Sequence, residues 1–448
     1  MRPRPTRPRL IQAMIDAFHL PDLRRRILMT LAILVVFRFI AHVSLPGVNP
    51  EVLKNLFDPQ TEGGVSGLLR MLDMFSGGAM RYFSVAALGV YPYITASIIM
   101  QLMVPVIPRL QALAQEGEAG RHKVDRITHW LTVPMAGVAG YGQLMLLQRE
   151  GVFRTGVSEE LQIVTMVLAM VAASMFLVWL GELITEYGIG NGISIIIFAG
   201  IVAGYVDLFP GVGLAGQQGQ WTGLIVYLLI GVATIAAIVI FTEAHRRIPV
   251  QYARMVIRGG RSYRQSGATH IPIRVNTAGM IPLIFAVSVV IFPATVASYF
   301  ANASNADPNL ANRILELFNP NAPLPTGLLY WGIYFFLVIA FAFFYTVVIF
   351  QQQDLAGNLQ KQGGFIPGIR PGKNTATYLN GVVNRITWAG ALFLAIVAIL
   401  PFLAREITNV QVIQLSTMGL LIVVGVVLDT MKQMEAQLVM RRYEGFIK

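Results

Sequence analysis

The sequence predicts an all-α polytopic membrane protein with ten transmembrane helices, and three observations lead to this class. Hydrophobic residues make up 55% of the 448-residue chain. Charged residues make up 13%, whereas a typical soluble domain has about 25%. Apolar stretches of about 17–25 residues recur along the whole chain, and each is long enough to cross the hydrocarbon layer of a membrane as a helix.

The expected spans divide into two groups of five. The first group lies within residues 27–209 and the second within 210–428, between an N-terminal segment at 1–26 and a C-terminal tail at 429–448. Two halves with an odd number of spans would lie inverted in the membrane. No internal repeat is visible, so the inversion is allowed by the count alone. The ten spans are expected at residues 27–45, 83–104, 128–147, 161–181, 188–209, 221–242, 276–299, 327–350, 386–403 and 411–428.

The distribution of basic residues predicts the orientation. With the N-terminus inside, the cytoplasmic segments contain 26 of the 34 lysines and arginines. Cytoplasmic loops carry such an excess, so both termini are expected in the cytoplasm, together with the large loops at 243–275 and 351–385. Basic loops facing anionic lipid also explain the net charge of +11 without a nucleic-acid ligand.

Several classes of chemistry are excluded or disfavoured. The chain has no cysteine, so disulfides, thiolate catalysis and cysteine-based metal sites are ruled out. All six histidines lie in loops or near span ends, and no G-x-S-x-G, H-E-x-x-H or P-loop pattern appears. We therefore expect no enzyme activity, no cofactor and no metal site. Arg38 is the one charge well inside a span, where it either snorkels or pairs with a neighbour.

The outer segment before the second span contains an apolar stretch that is too short to cross the membrane. Ser76-Gly77-Gly78 is expected to end a helix over 67–78 and to allow a hinge. That helix is either re-entrant and enclosed by protein or lies at the membrane interface, and the residues alone favour neither. Its apolar residues at helical spacing are Leu68, Leu69, Leu72 and Phe75.

The second and seventh spans are only moderately apolar. The second contains Thr95 and Gln101, and the seventh contains Ser288 and two prolines. Such residues fit spans that face protein or water and can move, but Ser and Thr also hydrogen-bond within ordinary helix packing. On the residues alone, ordinary packing is the stronger interpretation.

Two cytoplasmic loops are longer than a simple connection requires. Residues 245–276 contain seven arginines and no acid, and their Val, Ile and Tyr runs around Gly259-Gly260 predict a small hairpin. The second loop, at 358–379, is rich in Gly and Pro. Loops of this length commonly bind a partner, whereas topology control by positive charge explains the arginines but not the length.

Eight stretches of the chain carry a resemblance to a known family. They are MFSGGAM (74–80), YPYITASIIMQLM (91–103), EGEAGRHK (116–123), WLGELITEYGIGNGISIIIFAGIVAG (179–204), THIPIRVNTAGMIPLIFA (269–286), FPATVAS (292–298), FIPGIRPGKNT (365–375) and LLIVV (420–424). In these stretches, and in their order, the chain resembles the SecY family over roughly residues 16 to 446. The resemblance implies a channel of two inverted five-helix halves around a central pore, with a short re-entrant plug helix and a lateral gate between spans two and seven.

The resemblance also assigns residues to parts of that channel. Residues 67–78 match the plug, here called the plug segment. Polar contacts at the lateral gate are expected from Thr95, Gln101, Asn276 and Ser288. Arg246, Arg247 and Arg370 match positions used with a ribosome or motor ATPase. The span-two pair of the expected constriction, Ile94 and Ile98, would lie in the middle third of its span. The whole constriction is expected to be a ring of six isoleucines: Ile94, Ile98, Ile193, Ile197, Ile284 and Ile422.

The function implied is a passive channel subunit of the bacterial plasma membrane. It would pass unfolded secretory polypeptides and release signal sequences and transmembrane helices sideways into lipid. The partners implied are SecE-like and SecG-like small membrane subunits, the SecA motor ATPase, the ribosome, signal peptides, nascent chains and membrane lipids. The alternative is a secondary transporter of a small solute, which would need ionisable groups in mid-span, and the sequence has almost none.

Overall fold

The computed structural model describes most of the chain, and it is mainly helical. It forms two compact units, one from residues 1–225, 288–330 and 408–448 and the other from 226–287 and 331–407. The two halves predicted at 27–209 and 210–428 remain a prediction. The described residues are 20–57, 69, 72–73, 76–149, 151–153, 160–206, 221–258, 261–277, 279, 281–300, 309–319, 326–353, 355–408 and 417–444.

Fourteen α-helices are described, and every predicted span overlaps one of them. Five of them are long and apolar enough to cross a membrane, and α3 with α4 makes a sixth if that bent pair is one span. The ten-span count therefore remains a prediction. The helices are α1 Pro21–Ile40, α2 Pro50–Leu56, α3 Tyr91–Val106, α4 Pro108–Gln115, α5 Glu118–Arg149, α6 Glu160–Tyr187, α7 Gly192–Val206, α8 Trp221–Glu243, α9 Ile281–Phe300, α10 Leu310–Leu317, α11 Thr326–Gln353, α12 Leu355–Lys361, α13 Lys373–Thr408 and α14 Thr417–Glu444.

The first helix shows the two faces expected of a span at the edge of a bundle. Ile33 and Phe37 of α1 are buried, whereas Val35 and Phe39 on the other side are exposed. Proline at the first helical position favours initiation, because its missing N–H would be unpaired there anyway. Exposure of this apolar face to water would be unfavourable, so the face is suited to contact with lipid.

The second span begins later than predicted, at Tyr91 and not at 83. Its first residues are held outside a helix, because the Leu45 N–H donates to the Phe83 carbonyl (3.0 Å) and the Val85 N–H donates to the Val43 carbonyl (2.9 Å). Phe83 itself is fully buried and has a left-handed backbone with φ of 40°, a strained conformation for a bulky residue. At Ile107 the chain bends by 103° into α4.

The predicted boundaries of spans five and ten also change. Span five was predicted from 188, but α7 begins at Gly192, whose N–H donates to the Thr185 hydroxyl (2.9 Å). The first part of the predicted C-terminal tail from 429 is helical, because α14 continues from Thr417 to Glu444, and its cytoplasmic location remains a prediction. Residues 409–416, which include the predicted start of span ten, lie outside the described residues.

The second unit contains a three-stranded sheet, which includes the predicted hairpin, and the chain as a whole is mainly helical, as predicted. Strands β1 (His245–Arg258) and β2 (Arg261–Arg274) form the predicted hairpin, with Arg258 paired to Arg261. The second loop was predicted as a separate feature, but its strand β3 (Gly364–Phe365) pairs with Gln251 and Tyr252 of β1. A shared apolar core explains this joining: Ile248, Val250, Ile273, Leu359, Ile366, Leu379 and Val383.

Candidate functional site

Leu69, Leu72, Asp73 and residues 76–78 of the plug segment are described. Leu69, Leu72, Asp73 and Ser76 are helical and buried. Burial on this scale favours the enclosed, re-entrant interpretation over a helix at the interface. Leu68 and Phe75, two of the predicted apolar residues, lie outside the described residues.

Glycines end this helix as the sequence predicts. Gly77 has a φ of 71° and Gly78 a φ of 84°, left-handed values that a side chain would strain. The Gly78 N–H donates to the Asp73 carbonyl (3.0 Å), the bond typical of a glycine-ended helix. The Ser76 hydroxyl donates to the same carbonyl (3.0 Å) and accepts from the Met80 N–H (3.1 Å). The turn is therefore closed by its own hydrogen bonds.

Asp73 of the plug segment accepts two hydrogen bonds from Arg81. The Arg81 Nε lies 2.6 Å from one carboxylate oxygen, and the Arg81 backbone N–H lies 3.2 Å from the other. The Asp73 side chain is 5% exposed and that of Arg81 is 41% exposed. A buried carboxylate needs such partners, so this pair fixes how the chain leaves the glycine turn. An acid and an arginine eight residues apart across a glycine pair are the only sequence signal for it.

Five of the six isoleucines predicted to form the constriction are buried, and Ile193 is half-buried. Ile94, Ile98, Ile193, Ile197 and Ile422 belong to the first unit, in which α7 packs against α6 and α14. Ile193 lies against Gly181 of α6, because a Cβ built on that glycine would be 2.8 Å from its Cγ1. Burial also suits ordinary packing, so the ring remains a prediction. Ile284 belongs to the second unit.

Only one residue of the span-two pair lies nearer the helix start than predicted. Because α3 begins at Tyr91, Ile94 lies in its first turn, whereas Ile98 lies in the middle third of the helix. Val90, one turn before Ile94 and buried, continues the same i, i+4 series.

At the predicted gate, the structure brings together span two and span seven through a residue that the sequence analysis missed. The Tyr91 hydroxyl is hydrogen-bonded to the side chains of Thr95 on α3 and Ser288 on α9. Ser288 is buried. Gln101 instead donates to Ser97 of its own helix (3.2 Å). Asn276, which is also buried, belongs to the other unit.

The three arginines predicted to bind a cytoplasmic partner are all exposed. Arg246 and Arg247 lie at the start of β1, opposite Ile273 and Pro272 of β2. Arg370 follows β3, and its carbonyl accepts from the Thr375 hydroxyl (3.1 Å) near the start of α13. The side chains of these arginines are therefore available to a partner, whereas the apolar residues of the sheet are buried in its core.

No group of three or more His, Cys, Asp or Glu side chains that could hold a metal ion occurs among the described residues. The described residues include buried aliphatic side chains, which can exclude water, and a glycine turn, at which a short segment can move. The exposed arginines of the second unit can bind a partner.

Comparisons with known proteins agree with this arrangement. The family model named SecY matches residues 84–431. Protein translocase subunit SecY of Streptomyces lividans is 41% identical over 450 residues, which cover 98% of this chain and 100% of that relative.

Solved structures share the fold. The structure described as a protein conducting channel has a TM-score of 0.63 and 17% identity, and the match covers 95% of this chain and 97% of the other. Sec61 in the canine ribosome–channel complex from the endoplasmic reticulum has a TM-score of 0.61 and 16% identity over the same shares. The chain is thus a multi-pass membrane protein, and it belongs to the SecY family.

Proposed function

We propose that this chain is the channel subunit through which unfolded secretory polypeptides cross the membrane. Signal sequences and transmembrane helices would leave it sideways into lipid. The observation that carries the proposal is the full-length similarity to a protein translocase subunit, at 41% identity over 98% of this chain. The fold shared with a protein conducting channel supports it.

The six isoleucines would form the constriction. Isoleucine offers no hydrogen bonds, so a ring of these side chains grips no particular sequence, and a narrow aliphatic ring loses its water when it is empty. The burial of Ile94, Ile98, Ile197 and Ile422 in the first unit supports this role. Ile193 and Ile284 complete the proposed ring.

The plug segment would close the outer side of the pore. Support comes from the buried side chains of Leu69 and Leu72 and from the closed glycine turn that follows them. Ser76, Gly77 and Gly78 would act as its hinge. Leu68 and Phe75 remain proposed members of the same segment.

Spans two and seven would form the lateral gate. The hydrogen bond between the Tyr91 and Ser288 side chains is one of the contacts that would break when a helix passes between the two spans. Intramembrane hydrogen bonds contribute about 0.6–2 kcal/mol each, so an entering apolar signal helix can replace a few of them. Thr95, Gln101 and Asn276 are further polar residues proposed for this gate.

The exposed Arg246, Arg247 and Arg370 would bind a cytoplasmic partner, either the SecA motor ATPase or the ribosome. A solved structure of the same fold is part of a ribosome–channel complex, which favours the ribosome as one such partner. SecE-like and SecG-like subunits would complete the complex. We place it in the bacterial plasma membrane, in contact with its lipids and with both termini cytoplasmic, because 26 of 34 basic residues lie in the segments on that side.

A small-solute transporter was the alternative. The channel is favoured over it, because the full-length relative is named as a protein translocase subunit. An enzyme activity is not proposed.

Reconstitution tests the proposal. The chain is placed in liposomes with SecE-like and SecG-like subunits, and the SecA motor, ATP and a signal-bearing precursor are added. The precursor should become protected from external protease, and the same precursor without its signal should not. Protection of neither precursor, together with uptake of a small solute against its gradient, would favour the transporter instead.

A further inference from the structure

A charged side chain near the outer end of α1 binds the plug segment directly. Arg38 lies in the last turn of α1, and its Nη1 donates to the carbonyl oxygen of Gly77 over 2.8 Å. The two residues are 39 positions apart in the sequence. A hydrogen bond from a guanidinium is charge-assisted and is roughly twice as strong as a neutral one.

The Gly77 carbonyl needs a partner from outside its own helix. The chain turns left-handed at Gly77 and Gly78, so the Gly77 oxygen lies beyond the helical ladder, and a buried carbonyl without a donor is costly. The turn closes its other groups by itself, through Asp73 and Ser76. Arg38 thus supplies from α1 a donor for the Gly77 carbonyl.

Gly77 is also in backbone contact with α7. A Cβ built on Gly77 would lie 2.8 Å from the Cα of Gly200 and 2.9 Å from Cζ of Phe37. A Cβ built on Gly200 would lie 2.5 Å from the Cα of Gly77. Real Cβ atoms do not approach other atoms this closely, so the end of the plug segment fits between α1 and α7 only because both positions are glycine.

Arg26 provides a comparison on the same helix. It donates from α1 to the carbonyl oxygen of Gly188 over 3.4 Å, at a turn that is not part of the plug segment. The two arginines make the same kind of bond at opposite ends of α1, but only Arg38 reaches residues proposed to move. Arg26 is therefore a matched control for Arg38.

We propose that Arg38 is a positioning residue that holds the plug segment in its closed place, with the Gly77–Gly200 contact as the surface against which it is held. We call these two contacts the Arg38 anchor. The strength of the anchor sets how often the segment leaves its place in the absence of a translocating chain. The inference rests on the proposed function, since it gives a partner to a segment whose role as a plug is itself proposed.

The test uses the absence of cysteine from the chain, which leaves no background labelling of this subunit. Leu72, buried on the plug segment, is replaced by Leu72→Cys in the reconstituted complex, and a membrane-impermeant maleimide is added on the outer side. Arg38→Met should speed the labelling about tenfold, which corresponds to roughly 1.4 kcal/mol and is near the usual value for one bond to a charged group. Arg38→Lys should give a smaller increase because the charge is kept.

Two controls separate anchoring from general loosening of the fold. Arg26→Met should leave the labelling rate unchanged. With a precursor arrested in the channel, the parent and Arg38→Met should label at the same rate, because the segment has already moved. Equal rates for Arg38→Met and the parent in the empty channel would overturn the anchor.

A second variant approaches the anchor from the other helix. Gly200→Ala places a methyl group against Gly77 and should also speed the labelling, even if Arg38→Met inserts poorly. The ion conductance of Ile422→Asn distinguishes the two proposals. If that variant conducts and neither anchor variant changes the labelling, the anchor is wrong and the channel stands. If Ile422→Asn conducts no more than the parent, Ile422 is not part of the ring, and a failure to protect the signal-bearing precursor is the result that contradicts the channel.

Discussion

The glycine turn at 76–78 and the hairpin of β1 and β2 both connect apolar helices, but they are stabilised in opposite ways. The turn depends on a few hydrogen bonds, some within the turn itself and others from Arg81 to Asp73 and from Arg38 to Gly77. The hairpin depends on a backbone ladder along two strands of 14 residues each. A single substitution therefore affects the turn much more than it affects the hairpin.

The arginines of the two regions differ in the same way. Arg38 is half-buried and bonded to its own chain, whereas Arg246, Arg247 and Arg370 are exposed on the cytoplasmic side of the predicted topology. A cation within a membrane bundle is costly unless it is paired, so it stabilises the chain. A cation in water has little effect on the fold and remains available to a partner. Substitutions inside the bundle should change the stability of the closed channel, and substitutions on the sheet should change the rate of partner-driven transport.

The largest effect is expected at the proposed constriction. Ile422→Asn puts an amide at a buried aliphatic position, and it should raise the ion conductance of the empty channel about tenfold or more, because a polar group holds water in the ring. Planar-bilayer recording measures this. Ile240→Asn, at an exposed apolar position of α8, is the control and should not conduct. Equal conductance of the parent and Ile422→Asn would remove Ile422 from the ring.

Charge reversal on the sheet should act on transport alone. Arg370→Glu should lower the rate of motor-driven export about tenfold, since reversing a rim charge chiefly slows association with the partner. The unfolding temperature and the ion conductance should stay as in the parent, because Arg370 is exposed. Lys361→Glu, another exposed base in the same unit, is the matched control. A loss of folding in Arg370→Glu would instead assign this arginine a structural role.

A smaller effect is expected at the turn. Arg81→Gln takes one charged partner from the buried Asp73 carboxylate and should speed the maleimide labelling of Leu72→Cys about fivefold. The effect is limited to roughly 1 kcal/mol because the Arg81 side chain is partly exposed and screened. Lys54→Gln, on the exposed surface of α2, should label as the parent does. The double variant Asp73→Asn/Arg81→Gln tests the ion pair itself. If its effect on the labelling rate, expressed as a free energy, equals the sum of the effects of the two single variants, the two residues act independently and the ion pair is unimportant.

The smallest effect concerns the gate. Tyr91→Phe removes the hydroxyl that bonds Ser288 and Thr95, which should open the gate about threefold more readily, as expected for one intramembrane hydrogen bond. Precursors with signals of graded hydrophobicity measure this, because weaker signals should then be exported. Tyr141→Phe, exposed on α5, is the control. An unchanged threshold would show that the Tyr91 hydroxyl does not hold spans two and seven together.

Local sequence patterns were sufficient for much of the fold. The apolar stretches located a helix at every predicted span, the Val, Ile and Tyr runs predicted the hairpin, and Ser76-Gly77-Gly78 predicted the end of a helix. These features follow from hydropathy, periodicity and glycine conformation, which depend on neighbouring residues. The resemblance added the candidate ring, gate and plug, for which hydropathy alone gives no signal.

By itself, the sequence determined the membrane class, the presence of a helix at each predicted span and the family. Only the tertiary structure decided which polar groups meet, such as Arg38 with Gly77 and Tyr91 with Ser288. It also decided the pairing of β3 with β1 and the late start of α3. The physical reason is distance along the chain. A hydrogen bond between residues far apart in sequence leaves no periodic pattern, and it exists only where folding brings a donor and an acceptor within about 3 Å of each other.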